Sequence, residues 1–323
     1  MPEANTFDPA VLDRLEKLRE KYAAMGQDLV SYLDGLLYAD FPTYWDYINL
    51  DTLLSLQHPV TPFPDEEIFI IYHQTTELYF KLSLHELRQL HESDQLTGAE
   101  MLERVRRVNR YFKVLVDSFD VMVDGLDRKQ FLQFRMSLLP SSGFQSVQYR
   151  LIELACTTMD CLVHIELRPN RIDHSFEDVD EMFDEIYWRR GATELATGKP
   201  TLTLKQFEAK YRDSIIAFAE ERFHSNVRRQ WQALSASEQT PELREELRTL
   251  DELANVHWPL SHYRSAVKHL QRDPVDIAAT GGTNWQKYLP PRFQKLIFFP
   301  ELWSPEETAE WGKSWVLDNI GHK

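Results

Sequence analysis

Hydrophobic positions recur along most of this chain at the three- and four-residue spacing of amphipathic helices. Residues 8–37 carry Leu12, Leu15, Leu18, Tyr22, Leu29, Tyr32, Leu33, Leu36 and Leu37 in that phase. Residues 64–90 predict one long helix. Asp65 follows Pro64 and is placed to cap the first turn, while Glu66 and Glu67 suit the positive end of the helix dipole. Ile68, Phe69, Ile71, Tyr72, Leu78, Tyr79 and Leu82 give that helix a broad apolar face with His73 inside it. Thr97 and Glu100 form a capping box, and the helix they open is expected to reach Gly125. Its inward positions are expected to be Met101, Leu102, Val105, Val108, Phe112, Leu115, Val116, Phe119 and Met122. Shorter helices are expected over 129–138 and after the break at Pro140-Ser-Ser-Gly143. Two more are expected over 204–234 and 241–272, the second opened by Thr240-Pro241 and kinked or restarted at Pro259. Residues 166–203 are the least regular, with Pro169, Gly191, Gly198 and Pro200 around one acidic helix, and they read as a surface insertion.

Long helices joined by short breaks, with no repeating strand alternation and only 11 glycines in 323 residues, predict an all-α helical bundle. At 43% hydrophobic and 12% aromatic, the chain has material for a large core. No apolar run reaches the roughly 18 residues of a membrane span. The first residues are charged and amphipathic, unlike a signal peptide. The two cysteines, Cys156 and Cys161, fall off one another's face on a helix, so a disulfide is not expected and a reducing cytoplasm is. A formal charge of −15 argues against a nucleic-acid partner.

Glycine-rich phosphate loops, nucleophile elbows and His-Glu-x-x-His are absent. His85 and His91 are six apart and do not share a helix face, which disfavours zinc. What remains is histidines and an arginine in apolar surroundings. A histidine such as His73 is either a core residue with both ring nitrogens satisfied or a functional one. His262, on the apolar side of a helix, is open to the same two readings, one of them a proximal haem ligand. Arg135 either clamps a carboxylate in a bidentate pair or pairs with a structural glutamate.

The segments carrying these residues resemble the tryptophan 2,3-dioxygenase family. They are YWDYINLDTLLSLQHP (44–59), DEEIFIIYHQTTELYFKLSLHELR (65–88), FRMSLLPSSGFQSVQYRLIE (134–153), WPLSHYRSAV (258–267), TGG (280–282) and FFPEL (298–302). The resemblance implies one helical haem-binding domain over 1–323, a cytoplasmic homotetramer, and haem b as cofactor. It implies dioxygen insertion across the indole 2,3 double bond of L-tryptophan, giving N-formylkynurenine, as in tryptophan catabolism by the kynurenine pathway. By the same resemblance, His262 is the proximal iron ligand and His73 the distal histidine that meets the indole N–H. Phe69 packs on the indole and Arg135 binds the substrate carboxylate. Tyr44 and Tyr47, within a 1–60 segment, reach a neighbouring subunit's active site. Thr280 belongs to a loop closing over the amino acid, where Gly281 and Gly282 allow close backbone approach beside the cofactor. That loop reads Ala279-Thr-Gly-Gly-Thr-Asn-Trp285, without the serines and last glycine usual in the family, and Phe131 stands where some members have tyrosine. These departures make a related haem monooxygenase or peroxygenase, acting on a substituted indole or tyrosine in secondary metabolism, the second expectation.

Overall fold

The computed structural model describes residues 7–93, 95–171, 178–194, 197–271 and 289–313. Thr280, Gly281 and Gly282 lie outside them. The described residues are helical, with two isolated β-bridges, Val163 to Ile186 and Thr193 to Pro200. No helix among them is long and apolar enough to cross a membrane.

The chain divides into two compact units, residues 1–56 and 57–323. The first holds α1 (Pro9–Ala24), α2 (Leu29–Tyr38), α3 (Tyr44–Tyr47) and α4 (Leu50–Leu53). Asp8, Asp28 and Thr43 cap the first three, and Gly26, at a φ of 68°, turns the chain between α1 and α2. None of the four helices has a buried residue.

The second unit is organised around α5 (Asp65–His91), which packs along α6 (Gly98–Ser118) and α9 (Val147–Cys156). Next along the chain after α6 come α7 (Asp120–Val123) and α8 (Arg128–Phe134). The expected helix from Gly98 to Gly125 thus breaks at Phe119, while the Thr97–Glu100 capping box forms as read. Two expectations for α5 need correction. Asp65 does not cap its own helix; its carboxylate accepts the Asp127 N–H at 2.6 Å and so ties the start of α8 to α5. The buried face is Tyr72, Thr76, Phe80, Ser83, Leu87 and Leu90, whereas Ile71, Leu78 and Leu82 are exposed. Thr76 and Ser83 enter the core because their hydroxyls donate to the carbonyls of Tyr72 and Tyr79, each at 3.0 Å. Each fully buried Phe or Leu in this core, such as Phe112 or Leu87, contributes about 1.5–3 kcal/mol.

Within 166–203, expected as a surface insertion, part of the described chain is buried. Its helices α10 (Val179–Glu185) and α11 (Tyr187–Gly191) put Val179, Met182, Phe183, Ile186 and Trp188 into the main core. The one acidic helix expected here is present as these two, and its acidic side hid an apolar opposite face. The two long helices expected beyond it are each interrupted. The first is α12 (Leu202–Arg222) followed by α13 (Val227–Ala233), which Asn226 caps. The second is α14 (Pro241–Glu252) followed by α15 (Trp258–Leu270). Pro259 lies inside α15, and the chain absorbs it in a π-helical turn, Leu253–His257, just before that helix. Buried Asp251 anchors the C-terminal FFPELW segment, accepting from Phe298 N, Phe299 N and Trp303 Nε1 at 2.5, 3.0 and 3.0 Å.

Candidate active site

Two helices of the second unit each present a histidine whose ring is fixed by the carbonyl four residues earlier. On α5, His73 Nδ1 donates to the Phe69 carbonyl at 2.7 Å. On α15, His262 Nδ1 donates to the Trp258 carbonyl at 3.2 Å. A carbonyl oxygen only accepts, so both rings carry their proton on Nδ1, and in the neutral imidazole Nε2 keeps its lone pair.

The surroundings favour that neutral form. Burial lowers the pKa of His73, against smaller raising effects from the Phe69 carbonyl and the Glu77 charge. Burial pushes His262 down to about 4; the Trp258 carbonyl opposes this, and positive charge on His73 or Arg150 adds to it.

Aromatic rings connect the two. The Phe69 ring lies 4.0 Å from that of His73, with Phe134 edge-on to Phe69 at 5.9 Å and Phe131 at 6.4 Å. Tyr72 meets His73 at 6.0 Å and Phe119 at 5.5 Å. Phe119 in turn lies 4.5 Å from His262, which Trp258 meets edge-on at 4.6 Å. His73 itself is exposed by area. Its ring is thus crowded by protein atoms on some sides and open on others.

Arg135 opens the 3-10 turn Arg135–Leu138 directly after Phe134. Its side chain is buried, and burial lowers its pKa, though an arginine remains protonated at neutral pH. The structure thus gathers Phe69, His73 and His262 about one aromatic wall and puts Arg135 next in sequence to a member of it. Tyr44 and Tyr47 lie on α3 of the first unit, with 71% and 76% of their surface exposed. His269 is structural: its Nε2–H donates to the Met122 carbonyl at 2.8 Å. Among the described residues, no group of three or more His, Cys, Asp or Glu is placed to hold a metal ion.

Sequence reasoning passed over Trp258 and did not bring Phe119 to the site. Trp258 had a signal: it stands four before His262, as Phe69 stands four before His73. Phe119 had none, because its place depends on the break between α6 and α7.

A family model described as Tryptophan 2,3-dioxygenase matches residues 39–246, which include Phe69, His73 and Arg135 and end before His262. A tryptophan 2,3-dioxygenase of Pseudomonas fluorescens is 30% identical over 278 residues, covering 83% of this chain and 92% of its own length. That of Bradyrhizobium diazoefficiens is 30% identical over 275 residues, 81% of this chain and 90% of its own. A shorter match, 47% identical over 117 residues, spans 36% of this chain and 42% of the tryptophan 2,3-dioxygenase of a Ruegeria species. Fold and relatives define a helical oxidoreductase. The chain belongs to the tryptophan 2,3-dioxygenase family.

Proposed function

We propose that this chain converts L-tryptophan and dioxygen to N-formylkynurenine at a haem held by His262. The observation that carries the reading is the pair of neutral histidines, each with an Nε2 lone pair, joined by one aromatic wall. The residues present fit a haem: His262, kept neutral by burial, would hold its iron, and the aromatic rings beside it would pack against a flat ligand. When bound, the haem supplies the activation of dioxygen.

The chain's own residues bind and orient the substrate. His73 accepts a hydrogen bond at Nε2 from the indole N–H, and that tautomer is the only one able to do so. Phe69, held to His73 within one turn, packs against the indole. Arg135 meets the substrate carboxylate in a charge-assisted pair that its own burial strengthens. An indole N–H is a very weak acid, so His73 acts by positioning and need not remove the proton.

We also assign Tyr44 and Tyr47 to a neighbouring subunit's site in a homotetramer. This is supported by the first unit, which buries none of its helical side chains and exposes Leu37, Tyr38 and Phe41. Free, buried Cys156 and Cys161 are in keeping with a cytoplasmic setting.

The test is His262→Ala. The purified wild-type chain is expected to show a Soret band and to turn over tryptophan; the variant is expected to lose both, with imidazole restoring part of the band. A variant that keeps its Soret band unchanged contradicts the assignment.

A further inference from the structure

Pro259 creates a hydrogen-bonding problem three residues ahead of His262, and α9 solves it. In the π turn Leu253–His257, the Trp258 N–H donates to the Leu253 carbonyl, five residues back. The Ala254 carbonyl is then left over. Its α-helical donor, Trp258 N–H, is already used, and its π-helical donor is residue 259, a proline with no N–H. Ala254 is wholly buried, so water is not at hand. The donor comes from another helix: Tyr149 of α9 gives its hydroxyl to the Ala254 carbonyl at 2.8 Å. The Tyr149 ring is itself held at 5.3 Å from Phe80 of α5 and 6.5 Å from Phe112 of α6.

The register matters for the site. Closing the π turn to an α turn moves everything after it by one residue, a rotation of about 100° about the helix axis. His262 lies beyond that turn, so the turn sets which way its ring faces.

We propose that Tyr149 is a positioning residue: its hydroxyl replaces the donor that Pro259 lacks, and so holds the wide turn that aims His262 into the site. Only the spectroscopic part of its test rests on the haem reading above.

The experiment is a double-mutant cycle on the full chain, with Tyr149→Phe, Pro259→Ala and both together. Urea unfolding is measured for each, and the iron–histidine stretching band is recorded for the reduced, haem-loaded proteins. Tyr149→Phe is expected to raise the unfolding equilibrium constant about tenfold in the wild-type background. It is expected to cost less than about threefold beside Pro259→Ala, because residue 259 then donates through its own N–H. The band is expected to shift or broaden in Tyr149→Phe. Equal cost in both backgrounds, or no cost in either, overturns the proposal; so does a cost with an unmoved band, which would leave Tyr149 a merely structural residue. If the chain takes up no haem, the site reading fails separately, and the ¹⁵N signals of the His262 ring replace the band as readout.

Discussion

His73 and Phe69 occupy one turn of α5, with the imidazole Nδ1–H bonded to the Phe69 carbonyl at 2.7 Å and the two rings 4.0 Å apart. One backbone bond therefore sets the tautomer of the histidine and the distance between a hydrogen-bond acceptor and an apolar ring. An indole needs both at once. His73→Ala is expected to keep its haem and lose about ten- to a hundredfold in kcat/KM for tryptophan, the scale of a lost, well-placed hydrogen bond. Loss of the Soret band in this variant would mean that His73 and His262 have each other's roles.

Arg135 gives a substrate-dependent prediction. Replacing it with leucine is expected to lower kcat/KM for tryptophan about a hundredfold, while the slower turnover of tryptamine, which has no carboxylate, changes little. Arg135→Lys should recover part of the loss. An equal fall for both substrates would place Arg135 in the structure of the fold instead.

The sharing of sites between subunits can be read by complementation. A chain with Tyr44→Ala and Tyr47→Ala and a chain with His262→Ala are each expected to be nearly inactive. Refolded together, they are expected to regain activity, because a mixed oligomer contains sites with an intact histidine from one chain and intact tyrosines from the other. Mixed oligomers without recovered activity would show that each site draws on one chain alone.

Stability has its own pH signature. Burial and the nearby Arg222 charge push His91 down to about 4, against the Ser225 carbonyl that its Nδ1–H donates to. Between pH 4 and its ordinary value of 6.5 the unfolded chain binds the proton and the folded chain does not. His91 thus contributes stability that is present above about 6.5 and lost as pH falls toward 4. Asp251, pushed up to about 7 by burial, works in the opposite sense, binding its proton in the folded state first. His91→Gln is expected to flatten the fall in urea midpoint between pH 6.5 and 4. An unchanged slope would put the acid sensitivity elsewhere.

The sequence carried the helices of the second unit well, because capping residues such as Thr97 and Thr240 mark their starts and the apolar phase marks their course. It misled where polar residues go inside. Thr76 and Ser83 sit in the core with their hydroxyls turned onto α5's own carbonyls, so the apolar stripe through Ile71, Leu78 and Leu82 looked like the buried face. The acidic surface of residues 178–185 concealed Val179, Met182 and Phe183 in the same way. Pro259 read as a kink or a restart, and the helix does restart at Trp258; a proline announces a missing N–H but not the remedy, here a π turn with a tyrosine from a helix about a hundred residues earlier. Of the proposed site, Phe69, His73, Arg135 and His262 stand in long motifs that are legible in the sequence. The aromatic wall that joins the two histidines, Tyr72 and Phe119, depends on packing across helices and has no linear signature.

The central claim is that both atoms of dioxygen enter one indole ring at this site. The measurement is mass analysis of the product formed from L-tryptophan by the reduced, haem-loaded chain under ¹⁸O₂. The account predicts N-formylkynurenine carrying two labelled oxygens, with formation abolished by His262→Ala. An oxindole or hydroxylated product carrying a single label would contradict it.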